Sequence, residues 1–212
     1  MKQTFEIKVD ESRRNELEAA FYETETAARN ATIALAKNDS NDKFNAAFAF
    51  QWERLTKFAK VYEELKEAMS DEVVRPELRK RNLVDNVSWN LDFEASILTV
   101  TYDDEAQTET ASEHQETIIC PAEYVRPVAD ISSQLNAYDT IMSYVARTQG
   151  GGLDTPTLNA LGDKQSETYK EFVKARNNVE NNVVQPYLAE KNIEANVTWE
   201  LKYSTAEITL TY

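Results

Sequence analysis

A chain of 212 residues with 37 acidic against 23 basic side chains carries a formal net charge of −14. Such a surface is a poor match for nucleic acid, because phosphate binding needs a basic face that releases counterions. One cysteine, Cys120, and one histidine, His114, exclude an internal disulfide and an ordinary Cys/His zinc site.

No window has the apolar length of a signal peptide or a membrane span, which predicts a cytoplasmic protein, or a virion component if the chain is phage-encoded. The sequons at Asn30, Asn38, Asn86 and Asn196 then carry no glycosylation. In chain order, Phe5, Ile7 and Val9 alternate with polar neighbours, the period of a half-buried strand. Asp10, Glu11 and Ser12 offer cap chemistry for a helix whose buried stripe is Leu17, Phe21, Thr24, Ala28, Ala31 and Leu35. The run Asn38 to Asp42 predicts a turn, and Phe44, Phe48, Trp52, Leu55, Ala59, Tyr62 and Met69 trace a second helix antiparallel to the first. Pro76 is expected to end it, since the residue before proline is pushed out of helical geometry. A hairpin follows, with Val87, Trp89, Leu91 and Phe93 facing inward, then Leu98, Val100 and Tyr102 after the turn Glu94 to Ser96.

The acidic segment Asp103 to Glu116 has no apolar period and predicts an exposed connector. Beyond it the pattern starts again. Thr117 to Cys120 predicts a strand; Ile131, Leu135, Tyr138, Met142 and Val145 a helix; Gly150 to Gly152 a turn rather than a phosphate cradle; Leu158, Leu161, Tyr169, Phe172 and Val179 a second helix ended by Pro186. Val197, Trp199, Leu201 and Tyr203, then Ile208, Leu210 and Tyr212, predict the closing hairpin.

Val73 to Tyr102 aligns without a gap on Val183 to Tyr212, 110 residues further on, with twelve of thirty positions identical. The first helices align at an offset of 114 instead, which predicts four extra residues upstream in the second copy. The expected architecture is α+β: a tandem duplication of a β-α-α-β-β module, each copy a long helical hairpin packed on a small three-stranded antiparallel sheet. The predicted boundaries are 1–102 for the first repeat, 103–116 for the connector and 117–212 for the second repeat. Whether the two sheets are separate or joined is open in the sequence.

Duplication has preserved core-type residues rather than reactive ones. His114 lies in the acidic connector with no patterned nucleophile, and Cys120 reads as a small hydrophobe in a strand. Neighbouring acids such as Glu63-Glu64 point to different faces of a helix, and the connector lacks the ligand spacing of a calcium loop. No catalytic residue, metal ligand or cofactor is expected. Trp89, Trp199, Tyr102 and Tyr212 are predicted anchors of the two cores. Phe44, Phe50 and Trp52 lie on a helix that is apolar on more than one face, which makes them candidate partner contacts. The favoured reading is a non-enzymatic structural or interaction protein, with protein partners or copies of itself, assembling into something larger such as a bacteriophage particle. An acidic inhibitor or decoy of a nucleic-acid-binding protein is the alternative, and a ligand binder or enzyme with a site between the repeats the third. Direct nucleic-acid binding and membrane insertion are not expected.

Overall fold

A computed structural model describes residues 2–37, 43–83, 86–103, 115–148, 152–193 and 197–212. The fold mixes helix and sheet: long helices, and two three-stranded antiparallel sheets of the same strand order. The turn at Asn38 to Asp42, Gly150, Gly151, His114 and the connector 104–114 lie outside the described residues.

The first half runs β1 (Lys2–Lys8), α1 (Glu11–Lys37), α2 (Ala46–Met69), a π-helical turn (Ser70–Val74), α3 (Arg75–Lys80), β2 (Val87–Asp92) and β3 (Ile97–Asp103). The second half gives the same order: β4 (Gln115–Ile119), α4 (Ala122–Arg147), α5 (Thr155–Val179), a π-helical turn (Glu180–Val184), α6 (Gln185–Lys191), β5 (Thr198–Lys202) and β6 (Glu207–Thr211). In each sheet the closing strand is central, β1-β3-β2 and β4-β6-β5, so the two sheets are separate three-stranded units. Register places Phe5 opposite Val100 and Ile7 opposite Leu98; Glu116 takes the place opposite Leu210 and Ile118 that opposite Ile208.

By packing, the chain groups into two compact units, residues 1–24 with 61–112, and residues 25–60 with 113–212. In the first, Val9, Leu17, Met69, Val74 and Leu78 from the helices bury against Leu91, Leu98 and Val100 of the sheet. The second contains an equivalent core, Cys120, Val125, Val128, Val179, Val184 and Leu188 against Ile208 and Leu210. It also holds a purely helical core to which both halves of the sequence contribute: Ala28, Ala31, Leu35, Phe48 and Leu55 from α1 and α2, with Ala137, Tyr138, Ile141, Val145 and Leu161 from α4 and α5. Much of the apolar surface of α2 is therefore covered within the chain, while Phe50 stays exposed.

Several expectations need correction. Asp103 is paired with Lys2 in β3, and Gln115 and Glu116 are paired in β4, so the connector is shorter at both ends than 103–116. Strand pairing satisfies backbone groups whatever the polarity of the side chains, and polarity alone misplaced these residues. The prolines do not end the second helices. Backbone angles stay helical through Val74 and Val184, and Pro76 and Pro186 sit in the first turn of α3 and α6. The wider π turn makes this possible: the Arg75 and Gln185 N–H groups reach back five residues to the Ser70 and Glu180 carbonyls, relieving the i−4 clash that a proline ring imposes on an α-helix. The helices stop six residues later, at left-handed Asn82 (φ 54°) and Asn192 (φ 56°). There Leu83 and Ile193 N–H groups donate to the Leu78 and Leu188 carbonyls, a Schellman closure that explains why asparagine stands at both positions.

α1 and α4 start 111 residues apart rather than 114, so the second half has no four-residue insertion upstream. The buried face of α4 is Val125, Val128, Ser133, Ala137, Tyr138, Ile141 and Val145, which leaves Ile131, Leu135 and Met142 half-buried at its margin. On α5, Thr168 takes the inward position and the neighbouring Tyr169 is 58% exposed; the threonine hydroxyl makes this tolerable by donating to the Lys164 carbonyl.

Candidate functional site

Both tryptophans of the hairpins are half-buried and pack on their sheet cores. Each indole does a further job. Trp89 Nε1 donates to Ser70 Oγ at 2.9 Å, and Trp199 Nε1 donates to the Glu180 carboxylate, both reaching nineteen residues back to the first residue of the π turn. In the second unit the Arg176 guanidinium also lies 4.3 Å from the Trp199 ring centroid. These contacts tie the first strand of each hairpin to the start of the π turn between long helix and short helix.

A polar constellation that the sequence reading missed lies at the start of the second sheet. Glu116 accepts hydrogen bonds from the Tyr187 hydroxyl at 2.5 Å and the Tyr212 hydroxyl at 3.2 Å, joining β4, α6 and the residue after β6. The Tyr187 phenol is pushed up to about 12 by its bond to that carboxylate, and the Tyr212 phenol is raised by burial and by the same charge. Phenols held protonated in this way are hydrogen-bond donors at neutral pH and not nucleophiles or bases. The equivalent place in the first sheet is apolar: Phe5 lies 6.1 Å from the Tyr102 ring, under the Arg81 guanidinium at 4.3 Å. Glu77, at the position of Tyr187, pairs there with Lys80 and Arg81. The signal for the constellation was present in the alternation: Glu116 falls in phase with the inward residues Ile118 and Cys120, an unusual place for a carboxylate without partners.

Of the three candidate partner contacts, Phe44 and Trp52 pack against the chain's own helical core, with Trp52 4.3 Å from Tyr138, centroid to centroid. Phe50 is 58% exposed, with the Arg54 guanidinium 6.0 Å from its ring. Residues 43–60 carry Lys43, Arg54, Lys57 and Lys60 against the single acid Glu53, a basic stretch in an acidic chain. A groove of about 340 Å³ opens between α4 and α5, lined by Glu123, Tyr124, Pro127, Ile131, Glu171 and Lys174 among others.

Cys120 is buried, and burial pushes its thiol up, with the Glu123 charge acting in the same direction; it is packing, not a reactive centre. Among the described residues no group of His, Cys, Asp and Glu has the arrangement of a metal site, and no helix is long and apolar enough to cross a membrane. No known protein family matches the chain, and no curated protein or solved structure is significantly similar to it.

Proposed function

We propose that the chain is a tandem duplication of one β-α-α-β-β module and serves as a non-enzymatic building block of a larger protein assembly, such as a bacteriophage particle. The observation that supports this reading is where the polar chemistry goes. Glu116, Tyr187, Tyr212, Ser70 and Glu180 spend their hydrogen bonds joining strands and helices of the chain to each other, while Phe50, Ile119 and Tyr169 stand exposed. Exposed large apolar side chains, aromatic ones above all, are the material of protein contacts. The basic run on α2 counts against the alternative of a polyanion mimic, whose surface should be acidic throughout.

Chemical cross-linking and native mass spectrometry of the chain in its source test the reading. A complex of fixed stoichiometry with several protein subunits is expected. A solitary chain that retains a small molecule would overturn it in favour of a ligand binder.

A further inference from the structure

We infer that the occupant of the exposed α2 face is a second copy of this chain, received in that copy's groove between α4 and α5. The inference rests on the assembly reading above and names the partner. Three observations converge on it.

The first is composition. Phe50, Arg54 and Lys57 recur at steps of four and three, so they form one exposed stripe, with Lys60 beside it. An aromatic ring flanked by an arginine is the pairing enriched in the energetic centre of interfaces. Among the described residues no carboxylate pairs with Arg54, Lys57 or Lys60, although Arg13, Arg14, Lys66, Arg75, Lys80, Arg81, Arg147 and Lys164 all have acidic partners.

The second is charge. Four basic residues against one acid in 43–60 leave the rest of the chain more negative than its net −14. A second copy therefore presents opposite charge to this stripe and like charge to nearly everything else, which selects the orientation of approach. The duplicated helix does not share the feature, since residues 153–170 carry Lys164 and Lys170 against Asp154, Asp163 and Glu167.

The third is the receiving surface. The α4–α5 groove is lined by Tyr124, Pro127 and Ile131 together with Glu123 and Glu171. Lys174 also lines it, so two carboxylates stand against one ammonium. The proposed contact seats the Phe50 ring on this apolar lining and pairs Arg54 and Lys57 with the two acids. Because stripe and groove are different surfaces, the contact is head-to-tail and closes a ring or extends a filament instead of making a two-fold dimer.

Sedimentation velocity of the full chain, from about 1 to about 200 µM and at low and high salt, tests this. Wild type is expected to associate, less so at high salt. R54E/K57E and E123K/E171K should each weaken association at least tenfold with an unchanged circular dichroism spectrum, and an equimolar mixture of the two should restore it. A wild type that stays monomeric throughout overturns the inference and leaves the assembly reading to be carried by other partners. Association that neither variant weakens, or that the mixture fails to restore, overturns it as well. Loss of native circular dichroism in either variant moves the comparison to F50D against F50Y, where only the aspartate should abolish association; equal behaviour of the two again overturns the proposal.

Discussion

Ser96 and Ala206 close the two hairpins with positive φ, 55° and 59°, and the carbonyl of each accepts the N–H that follows the opening strand, Val9 to Ser96 at 3.0 Å and Cys120 to Ala206 at 2.8 Å. Side chains with a Cβ are strained in that region by about 1–2 kcal/mol, part of which glycine gives back as entropy. Ala206→Gly should therefore stabilise the protein by about 0.5 kcal/mol in chemical denaturation, and Ala206→Val should destabilise it by at least about 1 kcal/mol. Glu116 links the Tyr187 phenol to pH. The folded-state pKa of Tyr187 lies above its ordinary value of 10, so the contribution of this bond is complete below pH 10 and is lost as pH rises through about 12. Thermal melts of wild type between pH 9 and about 12 should show a steeper alkaline loss than those of Glu116→Gln, whose neutral amide no longer holds the phenol proton as firmly. Identical alkaline profiles would remove Glu116 from that role.

At the scale of elements, the two π turns and the helix they interrupt carry the same lesson in both halves. A single hydroxyl, Ser70 Oγ, receives the Trp89 indole, so Ser70→Ala should cost about 1 kcal/mol and shift the tryptophan fluorescence, while leaving far-ultraviolet circular dichroism unchanged. Along α2 the contrast is sharper. Leu55 is fully buried in the helical core and Leu55→Ala should cost about 3 kcal/mol, whereas Phe50→Ala on the open face should change stability by less than about 0.5 kcal/mol. Urea denaturation of the two variants measures both. Much of this was legible in the sequence. The stripes from Leu17 to Leu35 and from Phe48 to Met69, and the inward alternation of both hairpins, follow from period alone. What was not legible has physical causes. A proline reads as a helix terminator unless the turn before it widens, and the local pattern around Pro76 and Pro186 carries no mark of that wider turn. On α4 the period places Tyr138 and Val145 correctly but not Ile131, Leu135 and Met142, because the small, weakly apolar Ser133 and Ala137 take buried places that hydrophobicity does not mark. Glu116 was assigned to the connector by charge, when its partners, Tyr187 and Tyr212, lie 71 and 96 residues away.

Across the molecule, the likeness of the two halves in element order and strand order accounts for more of the chain than any local motif does. The twelve identities between 73–102 and 183–212 include Asn82 at the left-handed helix stop, Trp89 at the pin of the π turn, Leu78 in the sheet core and Pro76 after the turn. Divergence is concentrated where the halves do unlike work. Phe5 and Glu116 occupy equivalent places with opposite chemistry, and the large side chains Phe48 and Trp52 of one half answer Tyr138 and Ile141 of the other, where the position matching Trp52 is Gly162. Two halves that divide large and small residues between them in this way form one helical core to which each contributes. Introducing a protease site within residues 104–114 and cleaving there tests that claim directly. The account predicts that the two fragments stay together as a one-to-one complex in size-exclusion chromatography, held by the shared helical core. Fragments that separate on cleavage, each keeping its own helical content, would contradict it.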